Sequence, residues 1–475
     1  LQYAQQENYA AASLLFWRVW SESDGSDALL YRAQFELGKA LYAMRLYYPA
    51  LFYFDDIVAT GPDHPMFIPT YPWLLRLNRR LPGEPAALER LSEYADFFPD
   101  QIEDKYQDEM AYLIGRYYYS RGLLEEAQDF LATVSVGNRR FLYARYLEGV
   151  TYIQQYDGQA AVDAFRDVLE QAVEDPDRDA EVRNLAELSV LAVARTFYST
   201  GEFEKAVRWY DQVPASSQLW LEALFEKAWA LFQVEDYNRS LGNLHSLNSP
   251  FFNDQFYPEG NILTAVIFFR NCNYEALRET IDEFEEEYQP ILDEFTNRLN
   301  LSTDDEYYDM ILSIRGEMEE EFSPQLQQVM NAALDSQAVR DAIAFVEELD
   351  RELAFIQGAD PQWLETGLGD EIITETGLAR SVGASYAGSE IRLRVERAER
   401  HLQSLMNQAA AILVETDLLQ DRVVSSELRN ELNLSSTGSL LPPVDDEHLL
   451  WHFAGDYWRD ELGYYWYALE SQCAE

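Results

Sequence analysis

Lysine, cysteine and long apolar runs are scarce in this chain of 475 residues, and each scarcity excludes a class of partner, site or segment. Lys39, Lys105, Lys205 and Lys227 are the only lysines among 36 basic residues, and 84 acidic residues bring the net charge to −48. Because like charges repel, this charge excludes nucleic acid and anionic membrane surfaces as direct partners. An acidic, lysine-poor surface is typical of a salt-adapted organism, in which salt screens the self-repulsion. A GC-rich genome, which encodes Arg in place of Lys, gives the same composition.

The two cysteines, Cys272 and Cys473, are too few for a disulfide framework or a cysteine zinc site. The longest strongly apolar run, residues 262–269, is far too short to cross a bilayer, so we expect no direct transmembrane segment. No signal peptide is visible.

What the chain has is a repeated pattern of small and large apolar residues with a period near 34. In the clearest copy, Gly149, Tyr152, Ala161, Phe165 and Val168 are separated by steps of 3, 9, 4 and 3 residues. The same steps begin at the following five positions: Gly38, Gly115, Ala194, Ala228 and Ala265.

This pattern resembles the tetratricopeptide repeat, a helix–turn–helix unit of about 34 residues. Two antiparallel helices pack closely only where a side chain is small, as at Gly149 and Ala161. Gly122 and Gly201 fit the tight turn between the helices, where a positive φ favours glycine. One repeat cannot bury its apolar face, so the resemblance implies a stacked all-α solenoid.

The first copy is incomplete. Tyr3, Tyr9, Ala12 and Phe16 fit the repeat only from its eleventh position onward, so the chain begins inside a first helix. We expect the protein to extend upstream, where a signal peptide or anchor would lie. The alternative is a frayed capping helix that begins here.

We predict three consecutive segments. Residues 1–287 form the solenoid, with a degenerate repeat near 61–104 whose helices, residues 72–80 and 85–98, are each entered by proline. Residues 288–434 form a long antiparallel helical hairpin with coiled-coil spacing, its arms joined by the span 357–388, which holds six glycines. Residues 435–475 form a linker and an aromatic closing segment.

The candidate site is the concave groove that first helices line in a tetratricopeptide array. The residues that the repeat frame turns inward are Phe35, Lys39, Tyr42, Tyr112, Arg116, Tyr119, Tyr146, Leu191, Arg195, Tyr198, Phe225, Trp229, Phe232 and Phe269. Such an aromatic stripe with three cations suits a helix or an extended peptide. The alternative is that many of these rings are buried between helices. The asparagine and lysine positions of the family's carboxylate clamp are not matched, so chaperone binding is not carried over.

No phosphate-binding glycine loop, nucleophile elbow or paired metal-ligand motif is present, so we expect no catalytic residue, cofactor or metal. His448 and His452 are one helical turn apart beside Asp445, Asp446 and Asp456, which could hold a divalent metal. The glutamate that zincins need after the first histidine is missing, and surface histidines on a capping helix are the preferred interpretation.

The tail reads W-x-F-x-G-x-Y-W-x-D-E-L-G-x-Y from Trp451 to Tyr465. It resembles the ending of tetratricopeptide proteins of the envelope and gliding machinery in myxobacteria-like bacteria, which implies a periplasmic or envelope location; the alternative is cytoplasmic. We therefore expect a non-catalytic scaffold that binds a protein partner, peptide or helix. A targeting subunit of an envelope or peptidoglycan-processing enzyme complex is the alternative, and an enzyme with a site in the tail is a third.

Overall fold

The computed structural model describes residues 8–22, 28–81, 86–94, 102–174, 180–252, 255–299, 301–315, 322–427 and 453–473. These residues are helical apart from turns, short loops and an extended tail, and no strand occurs among them. The fold class is all-α, as the sequence predicted.

Twenty α-helices follow one another in the described ranges. They are α1 (Tyr9–Glu22), α2 (Ala28–Ala43), α3 (Tyr47–Thr60), α4 (Phe67–Asn78), α5 (Ala86–Glu93), α6 (Asp104–Ser120), α7 (Leu124–Leu131), α8 (Phe141–Gln154), α9 (Gly158–Glu174), α10 (Ala180–Ser199), α11 (Phe203–Tyr210), α12 (Trp220–Gln233), α13 (Tyr237–Leu247), α14 (Glu259–Arg270), α15 (Tyr274–Arg298), α16 (Asp304–Arg315), α17 (Pro324–Leu334), α18 (Gln337–Gln357), α19 (Pro361–Leu364) and α20 (Gly367–Glu427).

Contacts group the chain into two compact units, each assembled from three segments. The first unit comprises Leu1–Gln155, Leu301–Met318 and Leu334–Leu393, and the second comprises Tyr156–Asn300, Glu319–Ala333 and Arg394–Glu475. This grouping by contact differs from the consecutive segments expected from the sequence, whose boundaries at 287 and 434 stay predictions.

Within each unit, helices pair as the repeat pattern predicts, and the small residues lie where they meet. The pairs are α2–α3, α6–α7, α10–α11, α12–α13 and α14–α15. Every small position of the pattern is buried, from Ala50 and Ala161 to Ala206, each 0% exposed. A Cβ added at Gly115 would lie 2.7 Å from the Leu131 side chain, so a larger residue there would force α6, α7 or that leucine to shift. In the α12–α13 pair the Ser240 hydroxyl donates to the Ala228 carbonyl at 2.8 Å, which joins the two helices at their crossing.

The turns inside these pairs share one backbone conformation. Gly122 and Gly201 have φ of 75° and 79°, as the sequence predicted for the turn glycines. The equivalent turns of other pairs place a residue with a side chain there, at Arg45, Tyr156, Glu235 and Cys272. The repeat geometry therefore imposes the left-handed conformation even where no glycine is present.

In the degenerate repeat, α5 begins at Ala86, next to the predicted start, but α4 begins earlier than predicted. Helix α4 begins at Phe67, so Pro72 lies inside it and does not begin it. Phe67, Thr70 and Tyr71 are buried, and this packing holds the preceding turn helical although Pro72 cannot donate to the carbonyl of Ile68.

The glycine-rich span, predicted to join two arms, is mostly helix. Helix α20 begins at Gly367, and only Gly358 of the six glycines precedes it. A Cβ at Gly383 would lie 3.1 Å from Phe345 of α18, and one at Gly388 would overlap the carbonyl of Asp304 at the start of α16. These glycines allow helices to approach one another, and they do not form the connection.

The core of the first unit joins the repeats to these later helices. Phe345, Leu349 and Ile356 of α18 and Ile372 of α20 belong to the same buried cluster as Leu41 of α2. The repeats of this unit are therefore stabilised by chain segments about 300 residues further along the sequence.

Candidate functional site

First helices of successive repeats lie side by side within each unit. In the first unit α6 contacts α4 and α8, and in the second α12 contacts α14. We call the sides of these helices that carry the predicted groove residues the first-helix faces.

Helix α6 presents Tyr112, Arg116 and Tyr119, which follow one another at helical spacing. The Arg140 guanidinium lies 5.4 Å from the Tyr112 ring centre, and the Tyr119 hydroxyl accepts a 3.0 Å hydrogen bond from Gln154 of α8. Both tyrosines are half-buried, whereas Arg116 is exposed and has no hydrogen bond or ion pair within the described residues. This face therefore offers aromatic surface with an available cation between the rings.

On α2 the predicted residues pack more closely against neighbouring helices. Tyr42 lies 5.3 Å from the Trp73 ring of α4, and Phe35 lies 5.8 Å from the Phe54 ring of α3. Lys39 is already paired with Glu36 at 2.9 Å. These side chains leave less free surface than those of α6.

In the second unit Arg195 of α10 is held by two acids of α12. Its guanidinium donates to both carboxylate oxygens of Glu226 at 2.9 Å and also to Glu222. The Tyr210 hydroxyl donates to the same Glu226 at 3.0 Å. A partner carboxylate would have to compete with both glutamates for Arg195.

The predicted groove aromatics of the second unit are half-buried and meet other rings on one side. The ring pairs and their centre-to-centre distances are Tyr198–Phe203 at 5.3 Å, Phe225–Tyr257 at 5.3 Å, Trp229–Phe232 at 6.1 Å and Phe269–Tyr274 at 6.4 Å. Burial raises the pKa of Tyr257 to about 12. Leu191, expected on the same stripe, is 1% exposed and belongs to the core.

The predicted groove residues fall into two sets. Phe35, Lys39, Tyr42, Tyr112, Arg116, Tyr119 and Tyr146 lie in the first unit, and Arg195, Tyr198, Phe225, Trp229 and Phe232 lie in the second. Sequence reasoning missed the two acids that neutralise Arg195. Glu222 and Glu226 lie seven and three residues before Trp229, which places them on the same side of α12, and this spacing was the available signal.

The aromatic tail docks on the second unit of its own chain. Phe453, Tyr457 and Tyr465 surround the His245 ring of α13, with ring centres 4.6, 4.8 and 4.9 Å away. Burial lowers the pKa of His245, which therefore stays neutral at pH 7. The tail aromatics thus enclose an uncharged imidazole.

Backbone contacts fix the tail along α13. The Tyr467 N–H donates to the Asn238 carbonyl at 3.1 Å, and the Gly463 N–H donates to the Ser246 hydroxyl at 2.8 Å. A Cβ at Gly242 would overlap the carbonyl of Tyr465, so this glycine lets the tail lie directly on the helix.

A disulfide joins the end of the tail to the repeats. Cys473 is bonded to Cys272 in the α14–α15 turn, 201 residues away in sequence, and the neighbouring Gln472 N–H donates to the Asn271 carbonyl at 2.8 Å. The two cysteines, too few for a framework, form one long-range crosslink.

The possible metal ligands Asp445, Asp446, His448 and His452, together with Trp451, lie outside the described residues. Within the described ranges, none of the helices combines the length and the hydropathy that a bilayer crossing requires.

No protein-family model and no curated protein matches this chain. Solved structures similar to it include a tetratricopeptide repeat protein from Parabacteroides merdae, 15% identical, which covers 54% of this chain and 92% of its own with a TM-score of 0.35. NprR in complex with its cognate peptide NprX is 14% identical, covers 66% and 99%, and has a TM-score of 0.28. Yeast Tom70 is 12% identical, covers 90% and 97%, and has a TM-score of 0.22. TM-scores this low carry no weight beside the buried small residues and the common turn conformation, and on those features the chain has a tetratricopeptide-repeat fold.

Proposed function

We propose that this protein is a non-catalytic scaffold that binds a helix or an extended peptide on its first-helix faces. The observation that carries the proposal is the α6 face, where half-buried Tyr112 and Tyr119 flank the exposed Arg116, which has no ion-pair partner in the described part of the chain. Aromatic residues with one packed side and one free side offer rigid contact area at low entropic cost, which is typical of residues that dominate interfaces.

We further propose that the scaffold belongs to a bacterial envelope complex. The crosslink between Cys272 and Cys473 supports this location, because disulfides persist in oxidising compartments such as the periplasm and are rare in the cytosol. Tagged protein from the source cells, alkylated at lysis, should run with the two cysteines joined, and fractionation should find it in the envelope.

The binding proposal is tested by partner capture from source cells with single variants. Tyr119→Ala, Tyr198→Ala and Trp229→Ala should reduce capture of the same partner while melting temperatures stay near that of the wild type. Tyr156→Ala is the matched control, because Tyr156 is 96% exposed in a turn between helices. Unchanged capture with lowered melting temperatures would show that these rings only support the core.

Loss of Arg116 and loss of Arg195 should have different effects in the same assay. Arg116→Ala should weaken capture, and the effect should fade as salt rises, because an exposed charge acts mainly through screened attraction. Arg195→Ala should cost stability more than capture, since it removes the guanidinium that neutralises Glu222 and Glu226. Capture of a peptidoglycan-processing enzyme would favour the alternative role of a targeting subunit.

A further inference from the structure

A small cleft lies between the tail and the loop that follows α11. Its volume is about 220 Å³, which is the room of roughly seven waters at ~30 Å³ each. It is too small for a helix but large enough for one big side chain. Its walls include Val213 and Pro214 of the loop, Trp220 and Lys227 of α12, and Leu462 and Tyr464 of the tail.

The tail supplies one wall of this cleft and fixes its shape. Leu462 is 5% exposed, and a Cβ at Gly463 would lie 3.0 Å from the Trp220 ring. The Tyr464 ring beside them is 86% exposed at the rim. An aromatic ring so exposed on a crosslinked segment has a free face that an occupant can cover.

Two of the three N–H donors of Lys227 have no acceptor among the described residues. Its side chain is 12% exposed, and its ammonium lies 2.6 Å from Asp211, its one partner among the described residues. An ammonium has three N–H donors, so two remain for an acceptor inside the cleft. Because Asp211 neutralises the Lys227 charge, a neutral occupant that brings an acceptor fits better than an ion.

We propose that this cleft is a socket for one aromatic side chain of a partner protein, whose adjacent backbone carbonyl accepts from Lys227. The incoming ring packs between Trp220 and Tyr464, and its edge meets Pro214 and Leu462. The socket is separate from the first-helix faces, so its test is independent of the binding proposed there.

The probe is N-acetyl-L-tryptophanamide, which presents one aromatic side chain and two amide carbonyls. Ligand-observed NMR titration of the oxidised full chain should give saturable binding, and N-acetylglycinamide, which lacks the ring, should give none. Tyr464→Ala and Lys227→Met should each weaken binding about tenfold, the effect of losing one aromatic contact or one hydrogen bond to a charged donor.

Two controls match these variants. Tyr156→Ala removes another highly exposed tyrosine of the same unit, and Lys205→Met removes an exposed lysine that pairs with Glu202. Both should leave the affinity unchanged. If Lys227→Met lowers the melting temperature, Tyr464→Ala decides, because its exposed ring contributes little to folding. The proposal is overturned by absence of saturable binding, or by binding that Tyr464→Ala leaves intact.

Discussion

Glu352 of α18 accepts a 2.8 Å hydrogen bond from the backbone N–H of Tyr47, the first residue of α3 and 305 positions away in sequence. It also accepts from the Tyr48 N–H at 3.2 Å, and it is only 2% exposed. The first amides of a helix have no partner inside the helix, so a carboxyl group placed there satisfies two of them. A repeat near the start of the chain is thereby capped by a helix far beyond the repeats.

This contact predicts a pH-dependent stability. Burial raises the pKa of Glu352 to about 8, against the opposing effect of the Tyr48 and Tyr47 amides. Between about pH 4.5, its unfolded value, and pH 8 the folded protein keeps a proton that the unfolded chain releases, so this group's contribution to the free energy of unfolding falls as pH rises.

Glu352→Gln should remove that slope, which amounts to at most about 1.4 kcal/mol per pH unit. Urea denaturation at pH 5, 6, 7 and 8 measures it, with the exposed Glu365→Gln as control. Parallel curves for Glu352→Gln and the wild type would show that Glu352 does not titrate in this window.

Two glycines of α20 should respond oppositely to alanine. At Gly388 a Cβ would overlap the Asp304 carbonyl, so Gly388→Ala should cost about 1–3 kcal/mol or more by forcing α16 and α20 apart. At Gly377 no atom lies within 4 Å of the added Cβ, so Gly377→Ala should stabilise the helix by up to about 1 kcal/mol. Melting curves of the two variants compare them directly, and similar shifts would contradict the close approach at Gly388.

The same two glycines show what the sequence could and could not reveal. The helix pairs within each unit were predictable because small residues such as Gly115 and Ala127 recur at fixed short spacing. Whether a glycine makes a turn or a close approach depends on its neighbour in space, and for Gly388 that neighbour is 84 residues away. The glycine content of the span 357–388 therefore predicts a connection, whereas most of the span is helix.

The candidate site divides in the same way. The half-buried rings of the first helices follow from the repeat frame, whereas the docked tail and the pairing of Cys272 with Cys473 depend on contacts between distant segments. Local spacing carries no information about such contacts. For Arg195 the frame gave the position, but its neutralisation by Glu222 and Glu226 comes from the packing of α10 beside α12.

Loss of the crosslink should loosen the tail before the repeats. Cys473→Ser should lower stability by roughly 2–5 kcal/mol, as for other long-range disulfides. The amides of Tyr467 and Gln472, which donate to the Asn238 and Asn271 carbonyls, should exchange hydrogen faster. Mass-spectrometric hydrogen exchange measures the exchange of these two amides. Cys272→Ser removes the same bond, so the double variant should cost no more than the costlier single one; a larger loss would mean that one cysteine also acts outside the crosslink.

Stability should rise with salt. With 84 acids against 36 bases, self-repulsion weakens as the Debye length falls from about 10 Å at 0.1 M to about 3 Å at 1 M. Melting temperatures measured from low to molar NaCl should increase. A flat or falling trend would remove the argument that this surface is adapted to salt.

The assembly of each unit from three separate stretches has a consequence for how the protein is made. Tetratricopeptide pairs have mostly local contacts, which favours fast folding one pair at a time. The first unit nevertheless buries Phe345, Leu349 and Ile372 in the core of its early repeats. On the ribosome the early repeats emerge long before Phe345, Leu349 and Ile372. Their core is therefore partly exposed, and the amides of Tyr47 and Tyr48 contact water, until Glu352 has been synthesised. A nascent chain stopped near residue 330 should therefore be a substrate for chaperones or proteases, although every repeat of that unit has already been synthesised.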